Sequence, residues 1–369
     1  MNGESVDQPV TIEEPDGLET EGASWGDYPL DEMLIRNDHR TVRDVLHRIG
    51  QGRYVMNPDF QRDFIWPEDK QSKLVESVIM RIPLPVFYMA EDSEGRMVVV
   101  DGLQRLSTFK RFSDGELKLR LPDRPELDGK GFSDLSPKYQ NRVEDCNLIF
   151  YIIDSDAPER ARLDIFERVN GGQQLTRQQM RNCLYMGQAT SFLKDEARTK
   201  MFLEATGTSL SPKTMRDREF VNRFCAFHVL GPDAYHRGDM DDFLARALCR
   251  MNEMTAGELA DLSEAFQRGL SNNLLLFGHQ AFRKHEPGQD RRAVLNASLW
   301  DVMSTGLSDY SNEQVEGHAE PLRDAVYYLL WDETFNTAIT YGPNDPKKVK
   351  KRFEMARKAL REVLVDHSD

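Results

Sequence analysis

Every stretch of this chain that reads as β-structure lies between residues 53 and 153, and from Pro158 onward the apolar residues recur at helical spacing. Val86-Phe87-Tyr88-Met89-Ala90 and Met97-Val98-Val99-Val100 flank Asp92-Ser93-Glu94-Gly95, the pattern of a β-hairpin. Leu148 to Ile153 reads as a further strand, Arg53 to Met56 as a short one, and Glu116 to Leu121 as another. Strands confined to one stretch and followed by a long helical run exclude a regular βαβ succession. The expected class is α+β: a small mixed sheet with helices over residues 31–156, then a mostly α-helical region over 157–369.

Helices are punctuated within this frame. Val42, Val45, Leu46 and Ile49 share one face of a short helix capped by Thr41. Pro67 suits the first turn of the next, where Leu74, Val75, Val78 and Ile79 form the core stripe and Glu76 lies on another face. Arg81-Ile82-Pro83-Leu84-Pro85 ends it, because a residue before proline is pushed out of the α region. Asn170-Gly171-Gly172 stops a helix running through Phe166-Glu167-Arg168-Val169, and Thr176-Arg177-Gln178-Gln179 has the spacing of a capping box. Further helices are expected near 189–204, 216–230, 240–250, 256–272, 293–305, 321–337 and 346–365. In the last, Val349, Phe353, Ala356, Leu360 and Val363 make an apolar stripe. Lys347, Lys348, Lys350, Lys351, Arg352, Arg357, Lys358 and Arg361 cover the other faces, either as a solvated surface or as a contact for nucleic acid or an acidic segment.

Charge is unevenly distributed. Ten acids and no Lys or Arg lie in residues 1–35, accounting for −10 of the net −14 and leaving −4 for the rest. Residues 1–30 therefore read as an acidic disordered tail, and the nearly balanced remainder carries no broad basic face for non-specific DNA binding. The N-terminus has neither a basic nor an apolar segment of a secretory signal, and no apolar run is long enough to span a bilayer, so a cytoplasmic protein with no membrane partner is expected. Cys146, Cys183, Cys225 and Cys249 are scattered without zinc spacing and read as reduced thiols.

The chemistry concentrates at Met97 to Phe109. An apolar strand ends at Asp101-Gly102, and Leu103, Leu106, Phe109 and Phe112 follow at helical spacing. Arg105 falls in the first helical turn, where a cation opposes the helix dipole. An anionic ligand at the helix N-terminus explains it, and so does an ordinary solvent-facing arginine. Asn57 to Pro67 places Gln61, Arg62 and Asp63 among Phe60, Phe64 and Trp66, as in a pocket wall or a loop with buried aromatic anchors.

Taken in order, Gln61-Arg62, Trp66, Glu76-Ser77 with Pro83-Leu84-Pro85, Asp101-Gly102-Leu103-Gln104-Arg105, and Phe166 to Gly172 resemble the GmrSD restriction endonuclease N-terminal domain family, of the ParB/sulfiredoxin-like superfamily. The resemblance covers about residues 41–185, and the helical part, with Met215 to Phe220, looks like the family's continuation. It implies a ParB/sulfiredoxin-like nucleotide-binding fold whose Asp-Gly-x-Gln-Arg turn contacts phosphates. In members fused to a nuclease it implies nucleoside triphosphate hydrolysis that regulates cleavage of modified phage DNA. Leu103 departs from the family's usual Gln. His285 and His318 lack the surroundings of the family's nuclease domain, so cleavage would fall to a separate nuclease subunit.

On that resemblance, nucleotide phosphates are expected over Gly102, held by backbone N–H groups, Arg105 and Arg62. Asp101 or Glu76 is expected to hold Mg²⁺, and Gln104 or Gln61 to orient water. Asp101 as a helix cap and Glu76 as a surface charge are the plainer readings. Arg168 and Asn170 either close the pocket or end their helix. The expected activity is nucleoside triphosphate binding with possible hydrolysis, in a DNA-related or anti-phage role. The alternative is a non-catalytic ParB-like DNA-binding or scaffold module, and an oligomer fits either.

Overall fold

A computed structural model describes residues 12–16, 35–56, 66–155 apart from 93, residues 157, 162, 163 and 165, and 176–364. The chain forms two compact units that divide between Leu184 and Tyr185. Residues 25–184 make one; the other takes Tyr185–Asp369 together with the N-terminal segment, of which 12–16 are described.

The first unit is a five-stranded mixed sheet with helices. Strands β1 (Ile35–Thr41), β2 (Tyr54–Val55), β3 (Phe87–Glu91), β4 (Met97–Asp101) and β5 (Asn147–Ile153) stand in the order β1-β5-β3-β4-β2. The pairs β1–β5 and β3–β4 are antiparallel; β3–β5 and β2–β4 are parallel. The expected hairpin is β3–β4, whose turn closes with Asp92 N–H donating to Arg96 O at 3.0 Å. Strand β1, Ile-Arg-Asn-Asp-His-Arg-Thr, was not expected from its polar sequence. It is an edge strand, and a charged edge pairs through its backbone while discouraging further pairing.

One expectation is corrected here. Glu116 to Leu121 is no strand, although Leu117, Leu119 and Leu121 are buried between exposed neighbours as alternation implied. Its backbone groups go instead to a loop and to a helix side chain: Leu119 N–H donates to Lys130 O at 2.9 Å, and Arg120 N–H to Ser72 Oγ at 2.8 Å.

Among the described residues this unit also holds helices α1 (Val42–Gly50), α2 (Glu68–Ile79), α3 (Leu103–Ser113), α4 (Pro137–Glu144) and α5 (Arg177–Leu184), and Arg162, Leu163 and Ile165 are helical too. Thr41 caps α1 by accepting from Asp44 N–H at 3.2 Å. Thr176 and Gln179 form the expected capping box: Thr176 N–H donates to Gln179 Oε1 at 2.7 Å, and Gln179 N–H to Thr176 Oγ1 at 3.3 Å. The stripes Leu74, Val75, Val78, Ile79 and Leu103, Leu106, Phe109, Phe112 are buried with Phe87, Met89, Val99 and Phe150 in one core.

The second unit is helical: α6 (Gln188–Glu196), α7 (Lys200–Thr206), α8 (Arg216–Val229), α9 (Met240–Asn252), α10 (Ala256–Phe277), α11 (Ala297–Gly306), α12 (Asn312–Gly317), α13 (Ala319–Trp331), α14 (Glu333–Thr340) and α15 (Pro346–Leu364). Two expected helices are each split, 189–204 before the Thr199 cap and 321–337 at Asp332, which caps α14 by accepting from Phe335 N–H at 2.9 Å. Trp300 lies at the core centre among Phe202, Phe220, Phe266 and Phe282. A Cβ on Gly269 would collide with Ser304 O, so glycine permits the close approach of α10 and α11.

The acidic N-terminal segment departs from the expected disordered tail at residues 12–16. Glu13 N–H donates to Ser209 O at 2.9 Å and Asp16 N–H to Leu295 O at 2.8 Å, while Asp16 O accepts from Ala297 N–H at 2.8 Å. Glu13 pairs with Arg292 at 2.5 Å and with the fully buried Arg283 at 3.8 Å. Backbone pairing of this kind leaves no periodic trace in side chains. The rest of the expected tail lies outside the described residues.

Candidate functional site at the β4–α3 turn

Strand β4 delivers Asp101 to the sheet edge of the turn, opposite Tyr88 in register, and α3 begins two residues later. Gly102 between them has φ 101°, the left-handed region that favours glycine. Space also demands it: a Cβ would stand 2.8 Å from Phe87 Cε1, nearer still to Cδ1, and 3.2 Å from Arg105 Nη2. Among the described residues no side chain caps α3 at its N-terminus. The N–H groups of a helix's first turn have no partner within the helix, so this end carries partial positive charge.

Arg105 points inward. It is 8% exposed, and its Nη2 donates to Asp101 Oδ2 at 2.8 Å and Val86 O at 3.0 Å, while Nη1 donates to Pro85 O. Its guanidinium lies 4.1 Å from the Phe87 ring centroid. Burial lowers its pKa, against the opposing effect of Asp101. Asp101 is less enclosed, with its side chain 37% exposed. Arg105 thus ties the α3 N-terminus to the start of β3 and holds one oxygen of a carboxylate whose side chain still reaches solvent.

Gln104 is occupied differently. Its Oε1 accepts from Trp66 N–H at 3.0 Å. Gln71 Nε2 donates to Trp66 O and its Oε1 accepts from Arg111 Nη1 at 2.9 Å, so both backbone groups of Trp66 are held by glutamines. This fixes where the Gln61–Arg62 stretch must end. It begins after β2, whose Val55 lies beside Val98 of β4, and it ends at Trp66 on Gln104. Both described ends therefore lie along β4 and the turn that follows it. Gln61, Arg62, Arg168 and Asn170 lie outside the described residues.

Glu76 sits elsewhere on α2. It is buried, with Oε2 accepting from Lys73 Nζ at 2.9 Å and Oε1 from Arg124 Nε at 3.0 Å. The hydrogen bond from Lys73, with that from Arg124, lowers its pKa against the effect of burial. Among the described residues no three His, Cys, Asp or Glu side chains come together as a metal site.

Sequence reasoning missed Phe87 and Gln71. Phe87 looked like one more apolar strand residue, yet it is the surface on which Gly102 and Arg105 close. Gln71 does leave a signal, a polar residue at i−3 from Leu74 on an otherwise apolar stripe.

Residues 42–186 match the family model described as GmrSD restriction endonuclease, N-terminal domain. This stretch is similar to that family's N-terminal domain. Comparison with curated proteins and with solved structures gave no match. Among the described residues, the matched stretch takes in helices α1 to α5 and strands β2 to β5, with β1 just before it. Its limits differ by one residue at each end from those read from the motifs. No helix among the described residues is long and apolar enough to cross a membrane.

Proposed function

We propose that this GmrSD N-terminal domain has a restriction-related role in which a nucleoside triphosphate with Mg²⁺ binds at the β4–α3 turn and its bound state governs a nuclease supplied by another subunit. The observation that carries the reading is the uncapped N-terminus of α3, opening on a left-handed glycine beside the partly exposed Asp101 carboxylate. Such a helix end favours phosphate. Mg²⁺ typically uses one or two carboxylates plus phosphate oxygens, and Asp101 fits that mode; both oxygens of Glu76 are engaged by Lys73 and Arg124. In this reading Arg105 is a positioning residue that orients Asp101, and Gln104 holds Trp66, where the stretch carrying Gln61 and Arg62 ends. Outward contacts to phosphate fall to the backbone N–H groups, with Arg62, Arg168 and Asn170 proposed as further contacts.

The test is ligand-induced stabilisation of the full chain by ATP, GTP, CTP and UTP, each with and without Mg²⁺. A nucleotide at 100 times its dissociation constant should stabilise by about 2.7 kcal/mol. Asp101→Asn should abolish the Mg²⁺-dependent part of the shift. Absence of any shift with all four nucleotides would defeat the reading, and phosphate release on the same samples separates a hydrolase from a nucleotide-gated switch.

A DNA-binding module is the second reading, favoured by α15, where Lys347, Lys350, Lys351, Arg357, Lys358 and Arg361 are exposed. It predicts DNA binding with a steep salt dependence that is lost when these residues are changed to Gln.

A further inference from the structure

The C-terminus of α2 carries a residue that its fold does not call for. Arg81 N–H donates to Val78 O and Ile82 N–H to Ser77 O, both at 2.9 Å, the paired bonds of a Schellman turn. The left-handed position of that turn is ordinarily glycine, and here it is Arg81 at φ 61°, a conformation that crowds any Cβ. A cation gains from the helix dipole at this end. That gain does not account for what faces it.

Beside the turn lies a cavity of about 540 Å³. Its lining includes the cations Arg81, Lys138 and Arg142 and the apolar Val78, Ile82 and Leu84, with Asp145 the lone carboxylate among the lining residues. Among the described residues no carboxylate pairs with Arg81, Lys138 or Arg142. Arg142 is fixed in place by donating from Nη1 to Ile79 O at 2.8 Å. Like charges gathered in a concave wall raise the local concentration of the opposite ion. Guanidinium groups meet phosphate through paired hydrogen bonds, and Asn141 and Asn147 in the same wall offer both donors and acceptors.

We propose that this cavity binds a nucleoside phosphate, free or at the end of a single strand, with its phosphate on Arg81, Lys138 and Arg142 and its nucleoside against Val78, Ile82 and Leu84. The volume falls within the range of small-ligand pockets, and a lining that holds both cations and apolar side chains suits a flat base carrying an anion. None of Asp101, Gly102, Gln104 and Arg105 lines the cavity, so this inference stands apart from the reading of the β4–α3 turn.

Cys146 lines the cavity and is half-buried, whereas Cys249 is exposed in the other unit. Alkylation of the two thiols in the full chain, followed by mass spectrometry without divalent metal, therefore reports on this cavity alone. Because burial raises the Cys146 thiol, labelling is done above about pH 8.5. Deoxyadenosine monophosphate, or a 5′-phosphorylated hexadeoxyadenylate strand, should slow labelling of Cys146 and leave Cys249 unchanged. Protection by the mononucleotide marks a free nucleotide as ligand; protection by the strand alone marks a strand end.

Arg81→Gln with Lys138→Gln should raise the concentration needed for protection roughly a hundredfold, since each charged hydrogen bond lost is worth about tenfold or more. Arg81→Gly relaxes the turn, so it should raise thermal stability yet weaken protection. Failure of both ligands to protect Cys146, or protection undiminished in the double variant, overturns the proposal.

Discussion

Arg105→Met tests whether the arginine of the Asp-Gly-Leu-Gln-Arg turn is an internal latch. The substitution keeps an apolar stem over Phe87 and removes three hydrogen bonds, to Asp101, Val86 O and Pro85 O. Hydrogen bonds involving a charged group contribute about 1.5–3 kcal/mol each, and the ring contact about 0.5–2 kcal/mol. The Asp101 pair is discounted, because its carboxylate is over a third exposed and screened. Relief of the buried guanidinium's desolvation offsets more of the loss. We expect a net destabilisation of about 3 kcal/mol, or a fall of roughly 6–12 °C in the melting temperature of the sheet unit. A solvent-facing arginine would change stability by less than about 0.5 kcal/mol. Hydrogen exchange in the absence of nucleotide distinguishes the two, since it reads each unit separately. Peptides from β3, β4 and α3 should lose about two decades of protection, while α10 and α11 keep theirs. Unchanged protection in β4 and α3 would refute the latch and return Arg105 to the role of a ligand contact.

Gly102→Ala should cost at least about 2 kcal/mol, because it combines a left-handed φ with a clash against the buried Phe87 ring; denaturant titration would show it, and Phe87→Leu should recover part of the loss. In the helical unit, Asp301 accepts from Arg223 at 2.8 and 2.6 Å and from Arg352 at 2.9 Å, all three residues being fully buried. Asp301→Leu should therefore cost about 3–5 kcal/mol by stranding two guanidiniums, and adding Arg223→Met and Arg352→Met should recover most of it. Glu76, whose pKa is lowered by Lys73 and Arg124, contributes stability that is full above the ordinary carboxylate pKa and is lost as pH falls through its own. Wild type should accordingly melt above Glu76→Gln at neutral pH, with the gap closing as pH falls below the ordinary carboxylate range; a gap independent of pH would exclude the linkage. Glu13→Gln should weaken the hold on Arg292 and Arg283 and speed hydrogen exchange at Leu295 and Ala297; equal exchange in both proteins would mean that the backbone pairing alone secures residues 12–16.

Where periodicity had a physical cause in side-chain burial, the sequence was legible. The hairpin, the stripes on α1, α2, α3 and α15, the Thr41 cap and the Thr176–Gln179 capping box all follow from apolar spacing or local hydrogen-bonding chemistry. What stayed hidden was decided by backbone pairing with distant partners. The polar β1 strand exists because the apolar β5 offers it an edge. Glu116 to Leu121, alternating like a strand, gives its backbone to a loop and to a helix side chain. Residues 12–16 gain order from carbonyls and amides near Ser209 and Leu295, some 200 residues away or more.

The same division runs through the site. Order and spacing of the motif residues were sufficient to point to the family whose model matches residues 42–186, and they singled out Asp101 to Arg105 as the expected phosphate turn. Which way each side chain faces was beyond them, since a helix-first-turn arginine can serve a phosphate or a buried carbonyl with the same donors. Only the tertiary structure chose, by bringing Phe87 and the Pro85 and Val86 carbonyls to Arg105 and leaving Asp101 at the surface. It also brought α4 beside the end of α2, gathering Arg81, Lys138 and Arg142, which lie up to 61 positions apart, around one cavity. Charges this far apart in sequence carry no periodic signal, so their convergence belongs to the fold alone.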